Sequence, residues 1–263
     1  NLLGYCYEYG QGVDTDFSKA VEWYSKAAET GNAGAQCNLG NYYYNGVGVE
    51  KDYEKAVEYY YKSAMQGNAE AQFGLASCYY YGTGVERDYH KAVEWYLETA
   101  KQGNVEAQCL LGYCYQIGQG IQQSFEMAVV WYLKAAEQGN TNAQYNIGNC
   151  YLKGEGVTQN YKEAIKWYIK AAKQGNAGAQ NNLGHCFDVG KGVPRNPTEA
   201  IKWLLKSAEQ GNIIAQNNLG TSYFQGKGVE PDYEKAAKWY LLAADQGNAN
   251  SQLYLGKIYY EGK

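Results

Sequence analysis

One register of 36 residues runs through this chain without an insertion, and it constrains the fold more than any other feature. The pair Ala35-Gln36 returns as Ala71-Gln72, Ala107-Gln108, Ala143-Gln144, Ala179-Gln180 and Ala215-Gln216, then as Ser251-Gln252. Four residues on, Leu39-Gly40 is echoed at Leu3-Gly4, Leu75-Ala76, Leu111-Gly112, Ile147-Gly148, Leu183-Gly184, Leu219-Gly220 and Leu255-Gly256. A strict period means that each repeat meets its neighbours in the same way, so the chain folds as a stack of like units with no single central core.

Each repeat reads as two helices. Ala35, Leu39 and Tyr43 fall at i, i+4 and i+8, one apolar stripe at helical spacing that must face a core. The helix stops at Gly46, and Gly-x-Gly recurs in all seven complete connections, as at Gly10 and Gly12, Gly154 and Gly156, or Gly226 and Gly228. Glycine there permits a left-handed helix stop and a tight turn. The second helix starts after Asp16, Asp52, Asp88, Ser124, Asn160, Asn196 or Asp232, all preferred N-cap residues; Pro197 follows Asn196 at a helical position that needs no amide proton. Ala56, Tyr60 and Ala64 make its stripe, with Trp or Tyr beside it at 23, 59, 95, 131, 167, 203 and 239. It ends at Gly67, and Asn68 can cap the next first helix. The same Gly-Asn pair begins at Gly31, Gly103, Gly139, Gly175, Gly211 and Gly247.

The composition follows from this plan: 29 Tyr, 6 Trp and 32 Gly stand against 3 Pro and 5 Phe, because a few residue types are needed at equivalent places. Large aromatics opposite Ala, Gly or Ser let helix axes approach to about 8–10 Å.

The motif A-x-A-Q-x-x-L-G-x-x-Y-x-x-G-x-G-V followed by D-Y-x-K-A-x-x-W-Y-x-K-A-A-x-Q-G-N closely resembles the Sel-one-like repeat, a 36-residue relative of the tetratricopeptide repeat, over the entire chain. The departures are mild: Ala76 for Gly, Tyr59 for Trp, Leu204 for Tyr, Met127 for Lys and Ser251 for Ala. The resemblance implies an all-α, right-handed superhelical α-solenoid of antiparallel helix hairpins, with the first helices lining a concave face, and a role as adaptor or assembly platform. Fold alone does not fix that role. Residues 1–263 are expected to form a single solenoid of about seven repeats.

Both ends cut through a repeat, since Asn1 corresponds to Cys37 and Lys263 to Val47. Leu2, Leu3 and Tyr7 at one end, and Ile258, Tyr259 and Tyr260 at the other, would face water where solenoids usually carry polar caps. The expectation is a piece of a longer protein, and uncapped ends also leave end-to-end self-association open.

The net charge is −4, with acidic and basic residues interspersed. A nucleic-acid or anionic-membrane surface needs a basic field, so neither is an expected partner. No stretch approaches the roughly 20 apolar residues of a membrane span, no signal peptide opens the sequence, and Asn196-Pro197-Thr198 is excluded as a glycosylation acceptor by its proline. An intracellular, cytoplasmic setting is the expectation.

Five of the seven cysteines, Cys6, Cys78, Cys114, Cys150 and Cys186, share one repeat position, where other repeats have Tyr42, Ser222 and Ile258; Cys37 and Cys109 stand elsewhere. Equivalent residues of adjacent repeats lie about 10 Å apart, beyond disulfide reach, so the column reads as small buried filler with reduced thiols. Some Sel-one-like proteins are secreted and staple each hairpin by a disulfide between its helices, but no second helix here carries a cysteine. Cys-x-x-Cys is absent and the two histidines, His90 and His185, lie in unrelated phases, so no metal or other cofactor is expected. The Gly-x-Gly turns follow helices and lack the context of a nucleotide fingerprint. His185 and Asp188, one turn apart, resemble a base with its orienting carboxylate, but no nucleophile accompanies them. They read as a solvated or ligand-facing pair, and the chain reads as a scaffold and not an enzyme.

The remaining first-helix positions are where the repeats disagree. Position 38 and its equivalents read Leu2, Asn38, Gly74, Leu110, Asn146, Asn182, Asn218 and Tyr254; position 41 reads Tyr5, Asn41, Ser77, Tyr113, Asn149, His185, Thr221 and Lys257; position 44 reads Glu8, Tyr44, Tyr80, Gln116, Leu152, Asp188, Phe224 and Tyr260. Asparagine amides along a groove could hydrogen-bond an extended peptide, with tyrosines as rigid anchors. The candidate binding residues are Asn38, Asn41, Tyr44, Tyr80, Tyr113, Asn146, Asn149, Asn182, His185 and Asn218. The competing reading is that Asn tolerates a crowded face and the aromatics fill space. A protein or peptide is the expected partner; a regulatory region of a larger, enzymatic protein and a carbohydrate-binding module are the alternatives.

Overall fold

A computed structural model describes residues 1–262. These residues form α1 (Leu2–Tyr9), α2 (Phe17–Glu29), α3 (Ala33–Asn45), α4 (Tyr53–Ala64), α5 (Ala69–Tyr81), α6 (Tyr89–Lys101), α7 (Val105–Ile117), α8 (Phe125–Glu137), α9 (Thr141–Lys153), α10 (Tyr161–Lys173), α11 (Ala177–Val189), α12 (Pro197–Glu209), α13 (Ile213–Gln225), α14 (Tyr233–Asp245) and α15 (Ala249–Tyr260). No strand occurs among the described residues. The chain divides into two compact units, Asn1–Trp131 and Tyr132–Lys263. Within each, α1 to α7 and α9 to α15, every helix packs against its neighbours in sequence, the architecture of a helical-hairpin solenoid.

Local chemistry ends each helix where the sequence indicates. Asn32 and Asn68 accept a hydrogen bond from the amides of Ala35 and Ala71 at 2.9 Å, and Asp52 and Asp88 accept from those of Lys55 and Lys91 at 3.0 and 3.1 Å. Such caps satisfy amides that the helix itself leaves unpaired. The second glycine of the turn does more than turn the chain. Gly84 has φ +68°, and a Cβ there would lie 2.2 Å from the carbonyl oxygen of Tyr53, so the turn rests directly on the start of α4. Gly12 has φ +76° with nothing near.

In each compact unit the core is a run of linked hairpin clusters. In the first, Ala76, Ala92, Tyr96, Ala107 and Leu111 are buried together; in the second, Ala164, Tyr168, Ala179 and Leu183 are. Tyrosine, not tryptophan, fills the hole that glycine makes. A Cβ at Gly148 would lie 2.6 Å from the ring of Tyr168, which is fully buried. The tryptophans stand mostly half-buried beside it, as at Trp167, where the Lys170 ammonium lies 4.0 Å above the ring; Trp131 is buried.

The recurring glutamine stitches successive hairpins. Gln180 is only 4 % exposed. Its Nε2 donates to the Ala172 carbonyl at 3.1 Å, and its Oε1 accepts from Gln210 Nε2 at 2.8 Å. Gln36, Gln72, Gln144 and Gln216 repeat the pattern with Gln66, Gln102, Gln174 and Gln246. A buried amide left without these partners would be costly, which explains why Gln recurs with the period.

Candidate functional site

The first-helix positions that vary do two jobs. In four repeats the side chain at position 41 meets the hydroxyl of the buried tyrosine. Tyr60 donates to Asn41 Oδ1 at 2.7 Å, Tyr168 to Asn149 Oδ1 at 2.7 Å and Tyr240 to Thr221 Oγ1 at 3.1 Å; Ser77 and Tyr96 share a 3.3 Å hydrogen bond. The hydroxyls would otherwise be buried without partners. Asn41 Nδ2 also donates to Glu70 at 2.8 Å. Where the tyrosine is replaced by Leu204, no hydroxyl needs an acceptor, and the facing residue is the exposed His185.

In the second compact unit these amides join into a network. Asn182 Nδ2 donates to Asn149 Oδ1 at 3.1 Å and to the Tyr168 oxygen at 3.3 Å, Asn181 Nδ2 donates to Asn182 Oδ1 at 3.3 Å, and Asn218 Nδ2 to Asn181 Oδ1 at 3.2 Å. Asn38 and Asn146 are half-buried. Of the three tyrosines, Tyr44 meets Tyr53 edge-on at 5.2 Å between ring centres. Tyr80 meets Tyr89 in the same way at 5.3 Å, also contacts Tyr81, and donates to Gln119 Oε1 at 2.7 Å. Burial pushes the Tyr80 phenol up to about 12. Tyr113 is 41 % exposed.

Each compact unit has one slot beside its first helices, the two at equivalent repeat positions five periods apart in sequence. One, with an empty volume of about 360 Å³, is lined by Glu8, Phe17, Asn41, Tyr42, Asn45 and Val47. The other, about 340 Å³, is lined by His185, Asp188, Leu204, Asn218, Thr221, Ser222 and Lys227. Glu8 and Asp188 both occupy position 44, where Tyr44, Tyr80 and Phe224 fill the space in other repeats. Glu8, Phe17, Tyr42 and Asn45 were not among the candidate residues; the signal for them is Tyr42 standing in a column otherwise mostly of cysteine. Between two successive second helices, Tyr61 of α4 and Lys91, Glu94, Trp95 and Glu98 of α6 line a further cleft of about 670 Å³, with Tyr79 of α5 on its wall.

All seven cysteines are free thiols; six are buried and Cys6 is half-buried. Burial pushes the thiols of Cys78, Cys114 and Cys150 up to about 11, and burial with nearby acidic charge pushes those of Cys37 (Glu70) and Cys109 (Glu106) to about 12. Among the described residues no three His, Cys, Asp or Glu side chains gather as a metal site, and no helix is long and apolar enough to cross a membrane.

Paired helices, a repeated tyrosine-in-glycine core and a variable first-helix face define a helical repeat protein of the tetratricopeptide-like kind. The chain belongs to the Sel1 repeat family: the Sel1 repeat matches residues 1–32, 33–68, 69–104, 105–140, 141–176, 177–212 and 213–248. It is similar to c5321, a protective antigen present in uropathogenic Escherichia coli strains, with 39 % identity and a TM-score of 0.93 over 99 % of this chain; it spans 56 % of that one. A Sel1 repeat protein from Oxalobacter formigenes shares 36 % identity at a TM-score of 0.79, covering 98 % of this chain and 74 % of its own. No curated protein matches the sequence. Repeats of this family generally mediate protein–protein interaction.

Proposed function

We propose that this chain is a noncatalytic scaffold that holds a protein segment along the face made by its first helices. The observation that carries the reading is the division of labour between positions. Ala, Leu, Gly, Gln and Tyr recur where they are buried, whereas positions 38, 41 and 44 change from repeat to repeat and leave Tyr113 and His185 exposed. An exposed tyrosine supplies contact area at low entropic cost, and truncating an interface anchor typically costs about 2 kcal/mol or more. Asn38 and Tyr44 stand on the first helices of the first unit and Asn146 and Asn218 on those of the second, and Asn41, Asn149 and Asn182 are hydrogen-bonded to the tyrosine hydroxyls beside them. The unpaired thiols support a reducing compartment.

The cleft at Trp95 favours a second reading, in which the partner lies across the second helices. Affinity capture with this chain, its Tyr113→Ala, His185→Ala variant and its Glu58→Lys, Glu94→Lys variant separates the two. Loss of capture in the first variant, with an unchanged melting temperature, is expected; loss only in the second assigns binding to the second helices and refutes the first-helix reading.

A further inference from the structure

Position 44 controls the space between consecutive hairpins. Tyr44, Tyr80 and Phe224 close it by meeting the leading aromatic of the following second helix edge-on, at 5.2, 5.3 and 5.5 Å between ring centres. Glu8 and Asp188 are the acidic occupants of that position, and the two first-helix slots open where they stand.

Building on the partner-binding reading, we propose that the slot at Glu8 is a binding site for the ammonium group of a lysine side chain of the partner. Glu8 accepts the hydroxyl hydrogen of Tyr24, and among the described residues no basic side chain pairs with its carboxylate. Tyr42 lines the same slot. It is only 5 % exposed, and its hydroxyl has no hydrogen-bond partner, an unusual state for a buried polar atom. Four of the other repeats place a buried cysteine at this position and the equivalent slot has Ser222, whose hydroxyl donates to the Asn218 carbonyl, so an unpaired phenol here is peculiar to the Glu8 slot. At Asn45 the amide nitrogen is committed to the Asn41 carbonyl at 2.9 Å, which leaves the side-chain oxygen as an acceptor. An ammonium brings three donors and no acceptor, which matches a carboxylate oxygen, a phenol oxygen and an amide oxygen. The walls made by Phe17, Val47 and the Tyr42 ring suit a methylene stem. The local field is negative: burial first, and then the Glu8 charge, hold the Tyr42 phenol above its ordinary range.

The equivalent slot offers a comparison from within the chain. There Lys227 stands on the wall shared with Asp188, at the position that Val47 holds in the Glu8 slot. One acidic slot is thus furnished with its own lysine, and the other has an apolar residue in that place.

The test uses Nα-acetyl-lysine N-methylamide as probe and its norleucine counterpart, which lacks the ammonium, with the chain carrying carbon-13 in its tyrosine rings. The Tyr42 signals are assigned from Tyr42→Phe. The lysine probe should shift them saturably and the norleucine probe should not. Glu8→Gln, whose amide oxygen can still accept from Tyr24, should bind the lysine probe about tenfold more weakly or worse. Val47→Lys, which copies Lys227 and keeps Glu8, should abolish probe binding. Equal shifts from norleucine, unchanged affinity in Glu8→Gln, or no saturable shift in the parent chain would each overturn the site. A chain that captures a protein but ignores the lysine probe refutes the slot alone, and one that binds the probe but captures no protein refutes the scaffold reading alone.

Discussion

Gln180→Glu changes one buried amide into a carboxyl of nearly the same shape, and the two hydrogen bonds of that amide set the response. The native Nε2 donates to the Ala172 carbonyl at 3.1 Å, from a side chain only 4 % exposed. An ionised carboxylate can still accept from Gln210, but its second oxygen would then face the Ala172 oxygen with no proton between them. A protonated carboxyl restores the donor. The folded state therefore favours the neutral form, and the pKa of the introduced carboxyl rises above its unfolded value of about 4.3. Below the unfolded value both states are protonated and the penalty is absent. As pH rises from there the unfolded chain ionises first, and stability falls by about 1.4 kcal/mol per pH unit until the folded pKa is reached. A rise of about two units, ordinary for a buried carboxyl, makes the variant about 2.4 kcal/mol less stable at pH 7 than at pH 4, each relative to the parent. Urea unfolding followed by far-ultraviolet circular dichroism at both pH values measures the difference. Gln252→Glu is the matched control: Gln252 makes the same bond, to Ala244 at 3.2 Å, but is exposed, so its difference should stay within about 0.5 kcal/mol. A pH-independent penalty at Gln180, or an equal one at Gln252, would refute the reasoning.

Gly84→Ala should cost at least about 2 kcal/mol more than Gly12→Ala in urea unfolding, because both strain a left-handed φ but only the first drives a methyl group into the Tyr53 carbonyl; equal costs would mean that the turn does not bear on the preceding hairpin. Tyr80→Ala should lose about 2–4 kcal/mol through its ring contacts and its bond to Gln119, whereas Tyr113→Ala should keep the parent's stability within about 0.5 kcal/mol; thermal melts of the pair decide it. With a thiol reagent at neutral pH, Cys6 should react in the native chain while the six buried thiols, protonated and enclosed, wait for denaturant. Fast native modification of several cysteines would contradict a packed hairpin core.

The helices were legible in the sequence because their punctuation is local. Asp52 caps an amide three residues away, and Gly46 ends a helix by its own φ, so residue type alone reveals each. The Gln column was visible as a recurrence but not as a mechanism, since Gln36 meets Gln66 on the next second helix, 30 residues further on. The choice between Tyr and Trp as the residue that enters the glycine hole was equally hidden: both are large aromatics on adjacent helical positions. The candidate site was legible as a set of variable positions, and less so as chemistry. Asn41 and Asn149 offer the same amide to a peptide as to a tyrosine hydroxyl, and the hydroxyls that engage them lie 19 residues away in sequence. Tyr80 looks like Tyr113 until the neighbouring rings and Gln119 are in place. The pairing of Leu204 with His185 carries the signal: when the tyrosine goes, its acceptor goes with it.

The glutamine stitches have a consequence for how such a chain comes into being. Each joins residues 30 apart, and even the side-chain hydrogen bond from Tyr80 to Gln119 spans only 39. A hairpin leaving the ribosome finds every partner it needs within about one further period of synthesis, and the entropy of closing such short loops grows only with the logarithm of their length. Completion can therefore keep pace with translation, with little time for an apolar stripe to wait exposed. The same wiring makes length an adjustable quantity. Because each stitch reaches only into the adjoining hairpin, a recombination event that duplicates or deletes one whole period leaves the remaining stitches with partners of the same kind, so a lineage can lengthen or shorten its interaction surface without redesigning the core.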